Sequence, residues 1–130
     1  MDEITVHVET EINPTEAEEK VKMAVANLFG TIATETQASH VGSMLTAESR
    51  GREALDNFRN VLRRDRVRDA ARRVFYKGSR GDSIIFFLNK QVAFAGHVSF
   101  SQETGESPLG PIKVVIECEN PRELIAWLTT

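Results

Sequence analysis

Arginine is concentrated in one part of this chain, residues 50–80. That stretch holds eleven of the sixteen Lys and Arg residues and four acidic residues, although the whole chain carries a formal net charge of −3. Ten of these eleven basic residues are arginine. A guanidinium group presents a planar fork of N–H donors that can bind one phosphate through two hydrogen bonds, a geometry that lysine lacks. The segment therefore predicts a surface that binds a polyanion.

Two helices are predicted to position these arginines, one starting near Arg50 and the next near Asp65. Their apolar residues recur at helical spacing. They are Leu55, Phe58 and Leu62 in the first helix, and Val67, Ala70, Ala71, Val74 and Phe75 in the second. With these stripes facing inward, the basic side chains face outward. The predicted nucleic-acid-binding residues, with two from neighbouring turns, are Arg59, Arg63, Arg64, Arg66, Arg68, Arg72, Arg73, Lys77, Arg80 and Lys90.

Two other interpretations of the basic helices stay open. Asp65 and Asp69 lie three or four residues from several arginines, so the face could be an internal set of ion pairs. Each such pair contributes only about 0.2 to 0.5 kcal/mol, and two aspartates cannot neutralise six nearby arginines. The face could also dock onto an acidic protein surface.

The rest of the chain predicts one α+β domain over residues 1–130. Ile4, Val6 and Val8 alternate with polar residues as in a half-buried strand. Residues 13–16 and 120–123 both read Asn-Pro-x-Glu, which combines an N-cap, a proline at the first helical position and a capping-box acid. Each is predicted to open a helix.

Four further strands complete the predicted order β-α-β-α-α-β-β-β-α. One lies between Thr31 and Ser49, and the others are Ser83–Leu88, Val92–Phe100 and Ile112–Cys118. The predicted fold is a two-layer α/β sandwich with a mixed, largely antiparallel sheet and helices on one face. Residues 84–88 are apolar on both sides, so we expect a central strand whose second face is covered by a loop, a partner or a second subunit in a homodimer.

Signals for catalysis are weak, and we predict no catalytic residue, metal or cofactor. His7, His40 and His97 belong to no recognisable ligand pair or triad. Cys118, the only cysteine, alternates with inward strand residues and is predicted to be part of the core. Residues 78–82, Gly-Ser-Arg-Gly-Asp, lack the Walker spacing and predict a turn.

We expect the protein to be cytoplasmic. It has no signal-peptide pattern and no apolar run near the roughly 18 residues of a membrane span, and its single cysteine excludes an intrachain disulfide.

Four sequence blocks resemble an uncharacterised archaeal protein family, and they occur in the same order across nearly the whole chain. The blocks are residues 13–16 (Asn-Pro-Thr-Glu), 68–72 (Arg-Asp-Ala-Ala-Arg), 89–93 (Asn-Lys-Gln-Val-Ala) and 107–112 (Ser-Pro-Leu-Gly-Pro-Ile). That family is described as RNA-binding and as a predicted exosome subunit. Its fold resembles the large-subunit ribosomal protein that contacts 5S RNA, which implies a two-layer sandwich.

The leading hypothesis is a non-catalytic RNA-binding protein that contacts the phosphate backbone with its arginine-rich helix pair. RNA rather than DNA follows from the resemblance, because phosphate contacts carry no sequence information. The alternative is an adaptor subunit that docks into a larger RNA-processing assembly, and a small phosphate-processing enzyme is a third.

Overall fold

The computed structural model describes residues 3–39, 42–103 and 109–130. His40 and part of the fourth sequence block lie outside the described residues. The strands are β1 (Ile4–Ile12), β2 (Thr34–Ala38), β3 (Ser43–Arg50), β4 (Ser79–Arg80), β5 (Ser83–Asn89), β6 (Phe100–Ser101) and β7 (Pro111–Cys118). The helices are α1 (Glu18–Phe29), α2 (Glu53–Arg64), α3 (Arg68–Lys77), α4 (Lys90–Phe94) and α5 (Pro121–Leu128).

The strands form one sheet in the order β2-β3-β1-β7-β5-β4, with β6 paired to β5. Every pair of described strands is antiparallel. The predicted α+β class, with helices packed on a largely antiparallel sheet, is therefore confirmed.

One face of the sheet carries the core. Inward residues alternate along β1, β5 and β7, and the apolar faces of the helices cover them. Aromatic packing fixes the two basic helices to this layer: the ring of Phe86 in β5 lies 5.7 Å from Phe58 in α2 and 4.8 Å from Phe75 in α3. The basic helices therefore rest on a rigid apolar base.

The region between Thr31 and Ser49 was predicted to hold one strand, and it holds two. β2 and β3 pair in an antiparallel hairpin at the edge of the sheet. All but one residue of β2 is exposed. An exposed edge strand buries little apolar surface, so it leaves no strong alternation for sequence analysis to detect.

The strand predicted at Val92–Phe100 is wrong. The chain instead forms α4, a loop and the two-residue β6. The side chain of Asn89 caps α4 by accepting a hydrogen bond from the Val92 amide at 3.0 Å. Lys90 and Ala93, three residues apart, are the buried positions of this helix. In so short a segment, spacings of two and three residues both fit the apolar pattern, and the Asn89 cap favours the helix.

The two Asn-Pro-x-Glu motifs behave differently. Asn120 caps α5 as predicted, accepting from the Glu123 amide at 3.2 Å. Asn13 and Glu16 close a turn, with the Glu16 amide donating to the Asn13 carbonyl at 2.9 Å, and α1 begins only at Glu18. The prediction of a helix opening at residues 13–16 was therefore wrong in position.

Candidate nucleic-acid interface

α3 presents the basic surface that the sequence predicts. Its inward residues Ala71 and Phe75 are fully buried. The side chains of Arg68, Arg72, Arg73 and Lys77 are exposed on the other side. The helix begins at Arg68, and the three residues before it, Asp65, Arg66 and Val67, connect it to α2.

Arg66, in the connection between α2 and α3, has a left-handed backbone. Its φ angle is 58°, and it is the only described residue other than glycine with a positive φ. This conformation costs an ordinary residue roughly 1–2 kcal/mol. The side chain is exposed, so the connection projects a guanidinium group beside the start of α3.

Asp65 holds this connection in place. One carboxylate oxygen accepts from the Val98 amide at 2.8 Å, and the other lies 3.1 Å from Nδ1 of His97 and accepts from Nε of Arg64 at 3.2 Å. Partial burial alone would raise the pKa of Asp65, but the hydrogen bonds from Val98, His97 and Arg64 outweigh it and hold the pKa below its usual value. The aspartate therefore anchors this connection, and the arginine that it pairs with is Arg64.

Three of the predicted RNA-binding arginines hold the end of α5. Nε of Arg59 donates to the backbone oxygen of Trp127 at 2.8 Å, and its guanidinium lies 4.9 Å from the indole centroid. Nε of Arg63 donates to the backbone oxygen of Thr130 at 3.0 Å. Arg72 donates to both the hydroxyl and the backbone oxygen of Thr129, at 3.2 and 3.1 Å. We call these three residues the clamp arginines.

Arg64 and Arg80 also have intramolecular partners. Besides Asp65, Arg64 donates to the backbone oxygen of Gly96. Arg80 folds back and donates to the backbone oxygens of Lys77 and Ser79, at 3.2 and 2.8 Å. Both side chains are exposed, so part of each guanidinium still faces solvent.

Four predicted residues remain without a partner. Within the described part of the chain, no hydrogen bond, ion pair or ring contact involves the side chains of Arg66, Arg68, Arg73 and Lys77. All four are exposed, and all four lie on α3 or the connection before it. We call them the free cations. The Asp69 carboxylate, at 3.9 Å from Arg72, is the sole acid of α3.

Lys90 corrects the sequence prediction, because it is buried rather than part of the basic surface. Its side chain is 3% exposed, and Nζ donates to the backbone oxygens of Glu11 and Leu109 at 2.6 and 2.8 Å and to the Glu16 carboxylate at 3.0 Å. Three acceptors use all three N–H donors of an ammonium group. Lys90 therefore leaves the set of candidate RNA contacts.

The Lys90 network joins three of the four sequence blocks that carry the family resemblance. Asn13 donates to the Glu16 carboxylate at 2.8 Å and to the Leu109 backbone oxygen at 2.9 Å. Burial on its own would raise the pKa of Glu16, but hydrogen bonds from Asn13 and Lys90 and the charge of Lys90 lower it. These three blocks therefore stabilise the fold through buried hydrogen bonds, and residues 68–72 are the block that lies on the basic surface.

The outer face of the sheet, which faces away from the helices, is acidic. Its charged residues are His7, Glu9 and Glu11 of β1, Glu35 of β2, Glu48 and Arg50 of β3, Arg80 of β4, and Lys113 and Glu117 of β7. His7 lies 3.7 Å from Glu48 and 3.6 Å from Glu117. The protein therefore has a basic helical side and an acidic sheet side, a separation that the sequence did not reveal.

The remaining candidate sites have structural explanations. Residues 78–82 run from Gly78 through β4 into the turn of the β4–β5 hairpin, and an added Cβ on Gly78 would meet the Ile85 backbone oxygen at 1.9 Å. Burial and the charge of Asp82 raise the pKa of the Cys118 thiol, as expected for a core cysteine. Among described residues, no group of three His, Cys, Asp or Glu side chains could hold a metal ion.

Comparison with known proteins agrees with the family resemblance. Residues 5–118 match the model of a family described as RNA binding. A UPF0201 protein of Sulfurisphaera tokodaii is 44% identical over 122 residues, covering 94% of this chain and 84% of its own length. The chain belongs to the UPF0201 family.

Other members give the same result. A UPF0201 protein of Pyrobaculum arsenaticum is 40% identical over 124 residues, covering 95% of this chain and 87% of its own. The crystal structure of a UPF0201 protein from Methanococcus jannaschii superposes with a TM-score of 0.87 at 26% identity, covering 97% of this chain and 99% of that one. The predicted resemblance to an archaeal family described as RNA-binding is therefore confirmed, whereas the exosome association and the likeness to the ribosomal protein that contacts 5S RNA stay predictions.

No helix in the described parts of the chain is long and apolar enough to cross a membrane.

Proposed function

We propose that this protein binds RNA through the free cations, Arg66, Arg68, Arg73 and Lys77, without catalysing a reaction on it. The observation that carries the proposal is that these four exposed side chains have no intramolecular anion or acceptor in the described part of the chain. Phosphate groups would supply the missing acceptors. The family description, RNA binding, supplies the choice of polyanion.

The clamp arginines have a supporting place in this proposal. Each donates to a backbone oxygen within residues 127–130, but Arg63 and Arg72 keep exposed N–H groups. They strengthen the positive field around α3 while holding α5 in place. Their loss would reduce binding and stability together, so they are poor residues for testing function.

The test compares the double variant Arg68→Glu, Arg73→Glu with the wild-type protein by fluorescence anisotropy on labelled RNA. We expect an affinity loss of at least a hundredfold with an unchanged urea midpoint. Both side chains are exposed, so neither substitution disturbs the core. Arg68→Glu also places a negative charge in the first turn of α3, where it interacts favourably with the helix dipole. The control is Lys113→Glu, which changes charge on the outer sheet face and should alter affinity less than threefold.

Salt dependence gives a second measurement. If the four free cations each neutralise one phosphate of a single strand, the log–log slope of affinity against salt is about −3. A flat slope, or an equal loss of affinity in Lys113→Glu, would contradict the proposed interface.

The second candidate is an adaptor in an RNA-processing assembly, including the predicted exosome association. It is favoured by Ile85, Phe87 and Val115, which form a half-buried apolar group on the outer sheet face. The same group would serve the predicted homodimer. Copurification with an assembly that survives ribonuclease treatment and is lost in Phe87→Glu would support this role, whereas release by ribonuclease would favour RNA tethering.

A further inference from the structure

Tyr76 is an exposed aromatic residue within the basic surface. It is 46% exposed and lies in the last turn of α3, directly after the buried Phe75. In the described part of the chain, neither its ring nor its hydroxyl group makes a ring contact, cation–π contact or hydrogen bond. Nearly half of an aromatic side chain is thus exposed to solvent on α3.

The neighbours of Tyr76 are cations. Arg72 and Arg73 precede it by four and three residues, and Lys77 follows it. Long side chains on a helix lean toward its N-terminus, over the positions three and four residues earlier. The ring therefore extends toward Arg72 and Arg73. Of these residues, Arg73 and Lys77 are free cations, so phosphates bound to them would lie next to the Tyr76 ring.

The other exposed aromatic residue in the described part of the chain has a different environment. Phe94 of α4 is 41% exposed and lies on the α1 side of the helical layer, where Nζ of Lys20 is 5.8 Å from its ring centroid. Phe94 borders a pocket of about 360 Å³ whose buried ammonium group, Lys90, has all its donors occupied. It therefore offers a control aromatic of similar exposure outside the basic surface.

We propose that Tyr76 stacks on an unpaired nucleobase of the bound RNA while Arg73 and Lys77 contact the adjacent phosphates. This inference rests on the proposed function and specifies its ligand: single-stranded RNA, or RNA with an unpaired nucleotide. Every base has a π-face, so an exposed ring between phosphate-binding cations suits a single strand of any sequence. In a duplex the base faces are already stacked on each other, and the deep, narrow major groove excludes side chains.

The experiment measures the affinity of two RNAs, a labelled single-stranded 12-mer and the blunt duplex of the same strand, for wild type, Tyr76→Ala, Tyr76→Phe and Phe94→Ala. Wild type should prefer the single strand. We expect Tyr76→Ala to weaken single-strand binding about tenfold and duplex binding less than twofold. Tyr76→Phe should keep nearly full affinity because the ring suffices for stacking. Phe94→Ala should bind both RNAs as wild type does.

Other outcomes overturn the inference. If Tyr76→Ala binds the single strand as tightly as wild type, or loses equal affinity for both RNAs, Tyr76 does not stack on a base. Binding through the free cations is then still tested separately by the Arg68→Glu, Arg73→Glu variant. If Tyr76→Phe loses as much as Tyr76→Ala, the hydroxyl group rather than the ring makes the contact. If wild type binds neither RNA, the proposed function fails and this inference fails with it.

Discussion

Lys90 and Glu16 form a charged pair inside the protein, and removing one partner should lower the free energy of unfolding. Lys90→Met would leave the Glu16 carboxylate without its cation and would remove one donor each from the backbone oxygens of Glu11 and Leu109. Removing one partner of a buried pair costs about 3 kcal/mol or more. We expect that loss in urea unfolding, whereas the exposed Lys113→Met should change stability by less than about 0.5 kcal/mol.

The same pair makes stability depend on pH. The pKa of Glu16 lies below its ordinary 4.5 in the folded protein, so its contribution is complete above that value and is lost as pH falls through the folded pKa. The stability gap between wild type and Glu16→Gln should therefore be largest near neutral pH and narrow in acid. A gap that stays constant to pH 3 would show that the charge of Glu16 contributes nothing.

Two substitutions of Arg66 distinguish the energetic cost of its backbone conformation from the contribution of its side chain to binding. Arg66→Gly removes one free cation and relieves the left-handed backbone, so we expect a protein about 1 kcal/mol more stable that binds RNA several-fold more weakly. Arg66→Ala is the matched control, because it removes the same charge but keeps the strain. Equal stability of the two variants would mean that the φ of 58° carries no cost in this loop.

At the scale of elements, the clamp arginines fasten α5 to α2 and α3. Arg59→Met should destabilise the protein by about 1–3 kcal/mol, since it removes a charged hydrogen bond to Trp127 and a cation–π contact. Arg73→Met, which removes a free cation, should leave the unfolding midpoint nearly unchanged. Thermal unfolding of both variants checks the distinction, and equal losses would show that the clamp adds no stability.

For the whole molecule, the separation of charge predicts one-sided binding. Glu48→Lys, Glu117→Lys reverses two charges on the outer sheet face next to His7. Surface pairs there contribute at most about 1 kcal/mol, so the fold should persist. We expect a second, nonspecific binding mode for RNA and duplex DNA at low salt, visible as increased stoichiometry in titration. The control variant Glu48→Gln, Glu117→Gln should show a smaller increase in stoichiometry. An unchanged stoichiometry in the lysine variant would mean that the acidic face does not restrict binding.

The elements with strong local signals were predicted well. The apolar spacing of α2 and α3 identified Phe58, Ala71 and Phe75 as core residues, and Asn120 was recognised as a helix cap. α4 was missed because a five-residue helix and a strand can share one apolar pattern. The edge strand β2 was not resolved from β3 because its exposed residues carry no alternation.

The candidate site was predicted in part. The density of positive charge in the sequence predicted a basic surface, but it could not distinguish Arg59, Arg72 and Lys90, which bind backbone oxygens, from the free cation Arg68. Their partners lie between 57 and 79 residues away along the chain, at Trp127, Thr129 and Glu11, so no local pattern could reveal them. Tyr76 was overlooked because one exposed tyrosine in an amphipathic helix has no periodic signature. Its position four residues after Arg72 was the available clue.

The sequence by itself determined the α+β class, the inward faces of the basic helices and the segment that carries positive charge. These properties depend on the periodicity and composition of neighbouring residues, which a linear chain displays. Only the tertiary structure decided which cations stay free, where the acidic residues gather and which blocks meet around Lys90. Those outcomes depend on strand register and helix packing, which join residues that are distant in sequence, and hydrogen bonding then assigns each guanidinium or ammonium group to a backbone acceptor or to solvent.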